Sequence, residues 1–312
     1  MPRIATISPV WGCSVSDLRA LAREAEAGGF EAIFSPEVPP YNGLANAQVF
    51  AEATTKIKVG TWITNIYMRQ AVMAAATAMT IQEISGGRMV LGLGVSHKPV
   101  NDRYEIVMGD PVEKMRGYVK AVKSFMDGTA AALTLKREVP KVPVYIAGLT
   151  KGAAKLAGEA ADGIMPYMST PEYIKKLAGY VAEGAKAAGR DPSEIDITLG
   201  IPSVVSDDLE LARKAGKRGL SGYLRFPFYQ RLMTNNGFGG EIEKIKGGAD
   251  PAEVFSDEML DAVALVGPAE RCRERLEAYR KAGVSLPIIV PNAAGKQSNV
   301  EVMKITVTAY GG

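Results

Sequence analysis

Histidine is all but missing from these 312 residues: His97 is the only one. A catalytic metal needs several convergent histidines, cysteines or carboxylates, so a multi-histidine metal site is excluded and no metal is expected. At most one imidazole is left for acid–base work. Cysteine is nearly as scarce. Cys13 and Cys272 stand far apart in unlike contexts, with no CxxC or zinc-ligand spacing, which excludes a disulfide framework. Long apolar runs are absent too, and none approaches the roughly 18 residues of a membrane span. The opening MPRIATISPV leads straight into a strand-like run without a signal-peptide core, so a cytoplasmic protein without a membrane partner is expected. Charge of one sign is also lacking. The 37 Lys and Arg against 34 Asp and Glu leave +3, dispersed along the chain, too little for a nucleic-acid partner.

What is present is an ordinary globular composition, 47% hydrophobic and 23% charged, which rules out a disordered chain. Strand-like runs fall near 3–9, 31–35, 57–65, 88–95, 142–147, 162–168, 195–205 and 286–290. Most are continuously apolar rather than alternating, as strands buried on both faces are. Helical patterns with recognisable ends lie between them. Ser14 and Asp17 have capping-box spacing, and Leu18, Leu21, Ala22 and Ala25 then repeat at helical intervals before Gly28 and Gly29. Asp110-Pro111 and Thr170-Pro171 each read as a cap followed by proline in the first turn. The last helix is expected to begin at Gly267-Pro268, with Cys272, Leu276 and Tyr279 on one face. Eight strands alternating with helices point to a (β/α)8 TIM barrel, a single α/β domain over 1–312. Its strands should enclose Ile4, Ala32, Val59, Val90, Tyr145 and Ile164 or their immediate neighbours. Two excursions exceed a minimal barrel, 96–110 after strand 4 and 220–260 before the last helix, and such stretches form lids, pocket walls or oligomer contacts.

Barrel enzymes work at the C-terminal ends of their strands. Here those ends supply Ser35-Pro36-Glu37, Trp62-Ile63-Thr64-Asn65, Gly94-Val95-Ser96-His97, Ala147-Gly148-Leu149-Thr150 and Met165-Pro166-Tyr167. The set is small, apolar or amide-like with few acids, and it suits a flat, neutral-to-anionic ring better than a divalent cation. The glycines of GLG at 92–94 fail the dinucleotide pattern because His97 stands where its last glycine belongs. GVSHK at 94–98 fails as a nucleophile elbow because Lys98 replaces the closing glycine. Gly148-Leu149-Thr150 has two readings: an anion seat on free helix amides, or an N-cap alone. His97 likewise either faces a ligand or packs in its loop, and the bland role for Glu37 is a surface salt bridge. Tyr223, Phe226, Phe228 and Tyr229 read as core or interface rather than a cofactor stack.

The segments GTWITNIYMRQAVMAAATAMTIQE at 60–83, ISGGRMVLGLGVSH at 84–97 and LVGPAERCRERLEAYRKAGVSLPIIVP at 265–291 together resemble the bacterial luciferase-like superfamily, across about residues 3–291. Within it the GVSHKPV continuation is most similar to the branch using the deazaflavin coenzyme F-420. The resemblance implies hydride transfer between F-420 and a small organic substrate. It also implies homodimers packed through helices near the start of the barrel. By position, Trp62-Ile63 would carry the family's non-prolyl cis peptide against the ring. Ser35, Pro36, Thr64, Asn65, Gly94, Val95 and Ser96 would flank the ring and its polyol, with Met165 and Pro166 at a neighbouring strand end. Ala147 to Thr150 would seat the phosphate. The alternatives are an FMN-dependent monooxygenase and a non-catalytic flavin- or deazaflavin-binding barrel. The family's sugar-phosphate dehydrogenases carry Asp-His where this chain has Pro36-Glu37, and an acid where it has Val95. Their acid–base groups and substrate therefore do not transfer, which leaves His97 as first catalytic candidate and Glu37 as second.

Overall fold

Short apolar runs become strands here because each is covered on both sides, by helices outside and by other strands' side chains inside. The computed structural model describes residues 2–130 and 137–311. Its strands are β1 (Ala5–Ile7), β2 (Ala32–Ser35), β3 (Lys58–Thr61), β4 (Thr64–Asn65), β5 (Met89–Gly94), β6 (Val144–Ile146), β7 (Gly163–Ile164), β8 (Asp196–Val205), β9 (Leu265–Gly267) and β10 (Leu286–Pro291). The ladder runs β10-β1-β2-β3-β5-β6-β7-β8 and closes through β8 against β10, every pair parallel. The β4 strand continues the β3 stave after a break and pairs with β5, Thr64 opposite Leu93 and Asn65 opposite Gly94. This is the expected (β/α)8 barrel.

Side chains sort by strand alternation. Ala5, Ala32, Phe34, Val90, Tyr145, Met165 and Ile288 fill the barrel. Ile4, Val59 and Ile164 point outward into the layer beneath the helices, so at those positions their neighbours are the enclosed residues. The expected caps form. Ser14 and Asp17 make a reciprocal capping box, and Asp110 and Thr170 cap helices 111–126 and 171–187 with proline in the first turn.

Two expectations need correction at the C-terminal end. Leu265–Gly267 is strand β9, paired with the tip of β8, and the helix behind it starts at Ala269. It is not the last helix either, because Asn299–Tyr310 follows β10 with its own Ser298–Glu301 capping box. The excursions have their own structure. Lys98–Asp102 is a short helix, and 220–260 is almost wholly helical around a separate core of Leu224, Tyr229, Met233, Ile242, Phe255 and Met259.

Candidate functional site

The break between β3 and β4 lies at the barrel mouth, where the Trp62–Ile63 peptide is cis. Both side chains lie over glycines. A Cβ on Gly200 would come within 2.3 Å of Trp62 Cζ2, and one on Gly94 within 2.3 Å of Ile63 Cδ1, so neither position admits a side chain without moving these residues. Trp62 also meets Tyr167 edge-on, with centroids 5.2 Å apart. Two buried polar atoms at this stave end have no hydrogen-bond partner among the described residues: Thr64 Oγ1 and Trp62 Nε1.

A polar brace holds the stave end. Glu37 accepts from Arg69 Nη2 at 3.0 Å and from the Asn65 amide at 3.2 Å, and its side chain is 6% exposed. Asn65 Nδ2 donates to Asn101 Oδ1 at 2.9 Å, and Asn101 Nδ2 donates to the Val95 carbonyl at 2.8 Å. Thus the ends of β2, β4 and β5 are cross-linked by one network. The salt bridge of Glu37 is real but buried, and each carboxylate oxygen has a donor. Ser35 is similarly engaged: its hydroxyl accepts from Asn46 and donates to the Pro36 carbonyl. Ser96, at φ 58°, holds a left-handed turn just past β5.

His97 follows that turn. Its ring stacks on Phe226 at 4.7 Å and 8° between planes; the residue keeps an exposed edge, and partial burial of the ring lowers its pKa from the ordinary value. The aromatic contacts continue from Phe226 to Tyr223, and from Tyr223 to Tyr167 and Tyr229. Burial pushes all three phenols upward, so they stay protonated. Of the excursion aromatics Tyr229 lies in the core and Tyr223, Phe226 and Phe228 are half-buried against it, on the side of the mouth where Trp62 lies.

Across the mouth, β6 ends at Ile146 and leads through Ala147 into the Gly148–Thr150 turn. A Cβ on Gly148 would lie 2.6 Å from Ala153 Cβ, so only glycine lets the turn close on its helix. Thr150 caps that helix, accepting from the Ala153 amide at 3.3 Å. The amides of Gly148 to Gly152 have no partner among the described residues. Met165 and Pro166 follow β7. The Met165 side chain is buried inside the barrel, and the Pro166 carbonyl accepts from the Gly200 amide. Asn101 and Gly200 were not singled out in the sequence. Asn101 sits in a stretch legible only as a long connection, and Gly200 in an otherwise continuous apolar strand.

Among the described residues no group of three or more His, Cys, Asp or Glu could hold a metal ion. No helix there is long and apolar enough to cross a membrane. The family of luciferase-like monooxygenases matches residues 6–286. The chain is 27% identical over 285 residues to the 5,10-methylenetetrahydromethanopterin reductase of Methanolobus tindarius, covering 85% of this chain and 86% of that one. It is 26% identical to the reductase of that name from Methanopyrus kandleri, with 91% of each chain covered. The structure of a coenzyme F-420 dependent tetrahydromethanopterin reductase from Methanopyrus kandleri superposes with TM-score 0.82 at 21% identity, covering 99% of this chain and 97% of that one. An F-420-dependent secondary alcohol dehydrogenase bound to an F-420–acetone adduct gives 0.75 at 19%, covering 99% and 98%.

Proposed function

The chain belongs to the luciferase-like monooxygenase family, and on that premise we propose that it is a cytoplasmic oxidoreductase moving hydride between coenzyme F-420 and a small organic substrate. The observation that carries this is the Trp62–Asn65 stave end, an uncharged surface with two unpartnered polar atoms at the barrel mouth. A flat, hydrogen-bonding ring suits it, and the free amides at Gly148–Gly152 suit a phosphate. Resemblance to two reductases and to F-420-dependent structures supports the coenzyme. When bound, the deazaflavin supplies a carbon that gives or takes hydride.

The chain's own residues then have separable tasks. Trp62, Ile63, Gly94, Val95 and Ser96 shape one wall of the ring site, and Thr64 and Asn65 offer it polar groups. Pro36, Ala147, Met165 and Pro166 complete the rim, and Ser35 braces it from below. Glu37 positions Asn65 through its backbone amide. His97 exchanges the proton that accompanies hydride: neutral near pH 7, its imidazole accepts from an alcohol during oxidation, and its protonated form donates during reduction. A homodimer is part of this proposal, since Trp11, Val15, Met68 and Met73 leave apolar surface exposed near the first helices.

The test is separate titration with F-420 and FMN, followed by reoxidation of reduced F-420 with carbonyl and methylene-pterin compounds. Binding and turnover with F-420 are expected. Oxygen consumption with reduced FMN and none with F-420 would instead establish the monooxygenase alternative. Binding without any turnover would leave a non-catalytic barrel.

A further inference from the structure

We propose that Asn101 is a positioning residue for hydride transfer: it clamps the turn that carries His97 to the stave end against which the coenzyme ring would lie. This deepens the function proposed above and rests on it. Proton and hydride have to move between fixed places, so something rigid must set the distance from His97 to the ring site.

The grip closes on the turn from both sides. After β5 the chain runs Val95-Ser96-His97, and Ser96 at φ 58° holds a left-handed conformation that a serine adopts only at a cost. On one side of it, Asn101 Nδ2 donates to the Val95 carbonyl at 2.8 Å. On the other, the Asn101 backbone amide donates to the His97 carbonyl at 3.0 Å, next to the Val100 amide at 2.9 Å. One residue thus holds both carbonyls that flank the strained serine. The Asn101 carbonyl accepts in turn from the Tyr104 and Ile106 amides at 2.9 and 3.1 Å, which anchors the short helix from behind. Asn101 is fully buried, and each of its polar atoms is bonded.

The same side chain reaches a second stave. Asn101 Oδ1 accepts from Asn65 Nδ2 at 2.9 Å, and Asn65 Oδ1 accepts from the Tyr67 amide at 3.0 Å. A backbone amide only donates and a backbone carbonyl only accepts. The relay from the Tyr67 N–H to the Val95 carbonyl therefore has one direction, and neither side-chain amide can flip. Ionised aspartate lacks the donor, serine lacks the reach and leucine lacks both groups. Neighbouring charges are paired among themselves, Glu37 with Arg69 and Lys98 with Asp102 on the same short helix. The link is neutral, buried and fully satisfied, which makes it rigid.

The experiment compares wild type with Asn101→Asp and Asn101→Ser. It reads the NMR signals of the single histidine without coenzyme, and then kcat, KM and F-420 affinity with a carbonyl or methylene-pterin compound that wild type turns over. Loss of the clamp should lower kcat about 10–100-fold, with KM and F-420 affinity within about threefold of wild type. In both variants the His97 ring protons should lose the upfield displacement that stacking on Phe226 gives them. Asn101→Asp carries an additional signature. Its buried carboxyl titrates above the ordinary range, and once protonated it again offers one donor and one acceptor. Its kcat, taken as a ratio to wild type at each pH, should therefore recover on going from about pH 8 to about pH 5. Asn101→Ser should stay low throughout, and it carries the test by kcat and the His97 signals if Asn101→Asp fails to fold. Folded variants with wild-type kcat, or with unmoved His97 signals, overturn the clamp. Wild type without F-420 turnover overturns the function itself.

Discussion

Arg69→Met isolates the ion pair that braces the barrel mouth. The guanidinium contacts Glu37 at 3.0 Å, with the two side chains 22% and 6% exposed. Methionine keeps much of the aliphatic stem but leaves a buried carboxylate with the Asn65 amide as its one remaining donor. Orphaning a partner in a fully buried pair costs about 3–5 kcal/mol. Two features reduce that figure here. Water reaches the partly exposed Arg69 position, and Arg69 Nε is itself buried without a partner, so its removal relieves a penalty. A loss of roughly 2–3 kcal/mol follows, equivalent to a fall in Tm of about 3–5 °C for a chain of this length. Thermal and urea unfolding measure it directly. Arg69→Met with Glu37→Leu should recover at least half of the loss, because no charge is then stranded. A single variant within about 0.5 kcal/mol of the parent would mean that the pair is an ordinary surface contact, and the brace would fall.

The remaining predictions concern the proton and the phosphate. Because the chain has one histidine, NMR titration of His97 is unambiguous, and Phe226→Ala should raise its pKa towards the ordinary value by returning water to the ring. An unchanged or lower value rejects desolvation by the stack. Since the native pKa is lowered, the unfolded chain takes the proton first as pH drops below about 6.5, so stability should decline there, and less so in Phe226→Ala. His97→Gln should cut turnover by about 10²–10⁴-fold with coenzyme affinity nearly intact, and full activity would remove His97 from the chemistry. Thr150→Ala should destabilise the fold by about 1 kcal/mol through its lost cap, and a further fall in F-420 affinity would show that the hydroxyl also serves the phosphate.

The barrel was legible because its signals are local. Ser14–Asp17, Asp110–Pro111 and Thr170–Pro171 specify helix starts within four residues, and buried strands announce themselves as apolar runs. β9 gave no such signal. Three residues become a strand only because the tip of β8 is there to pair with. The 299–310 helix does carry a readable Ser298–Glu301 capping box, but it follows the eighth barrel strand, outside the strand–helix alternation that defines the fold. At the mouth, the strand ends could be listed from their order in the chain, but their connections could not. Asn101 matters only because a short helix brings its amide back beneath Asn65, and Gly200 only because an indole from another stave lies on it.

The same limit explains why the excursion aromatics and His97 belong to one unit. Trp62 touches Tyr167, Tyr167 touches Tyr223, Tyr223 touches Phe226, and Phe226 carries His97. These four contacts join the cis-peptide stave, the end of β7, the helical excursion and the connection after β5. Moving the excursion away would uncover Trp62's neighbour and resolvate the imidazole together, because both depend on the same rings staying packed. The environment of His97 is thus tied to the packing of the excursion through Phe226.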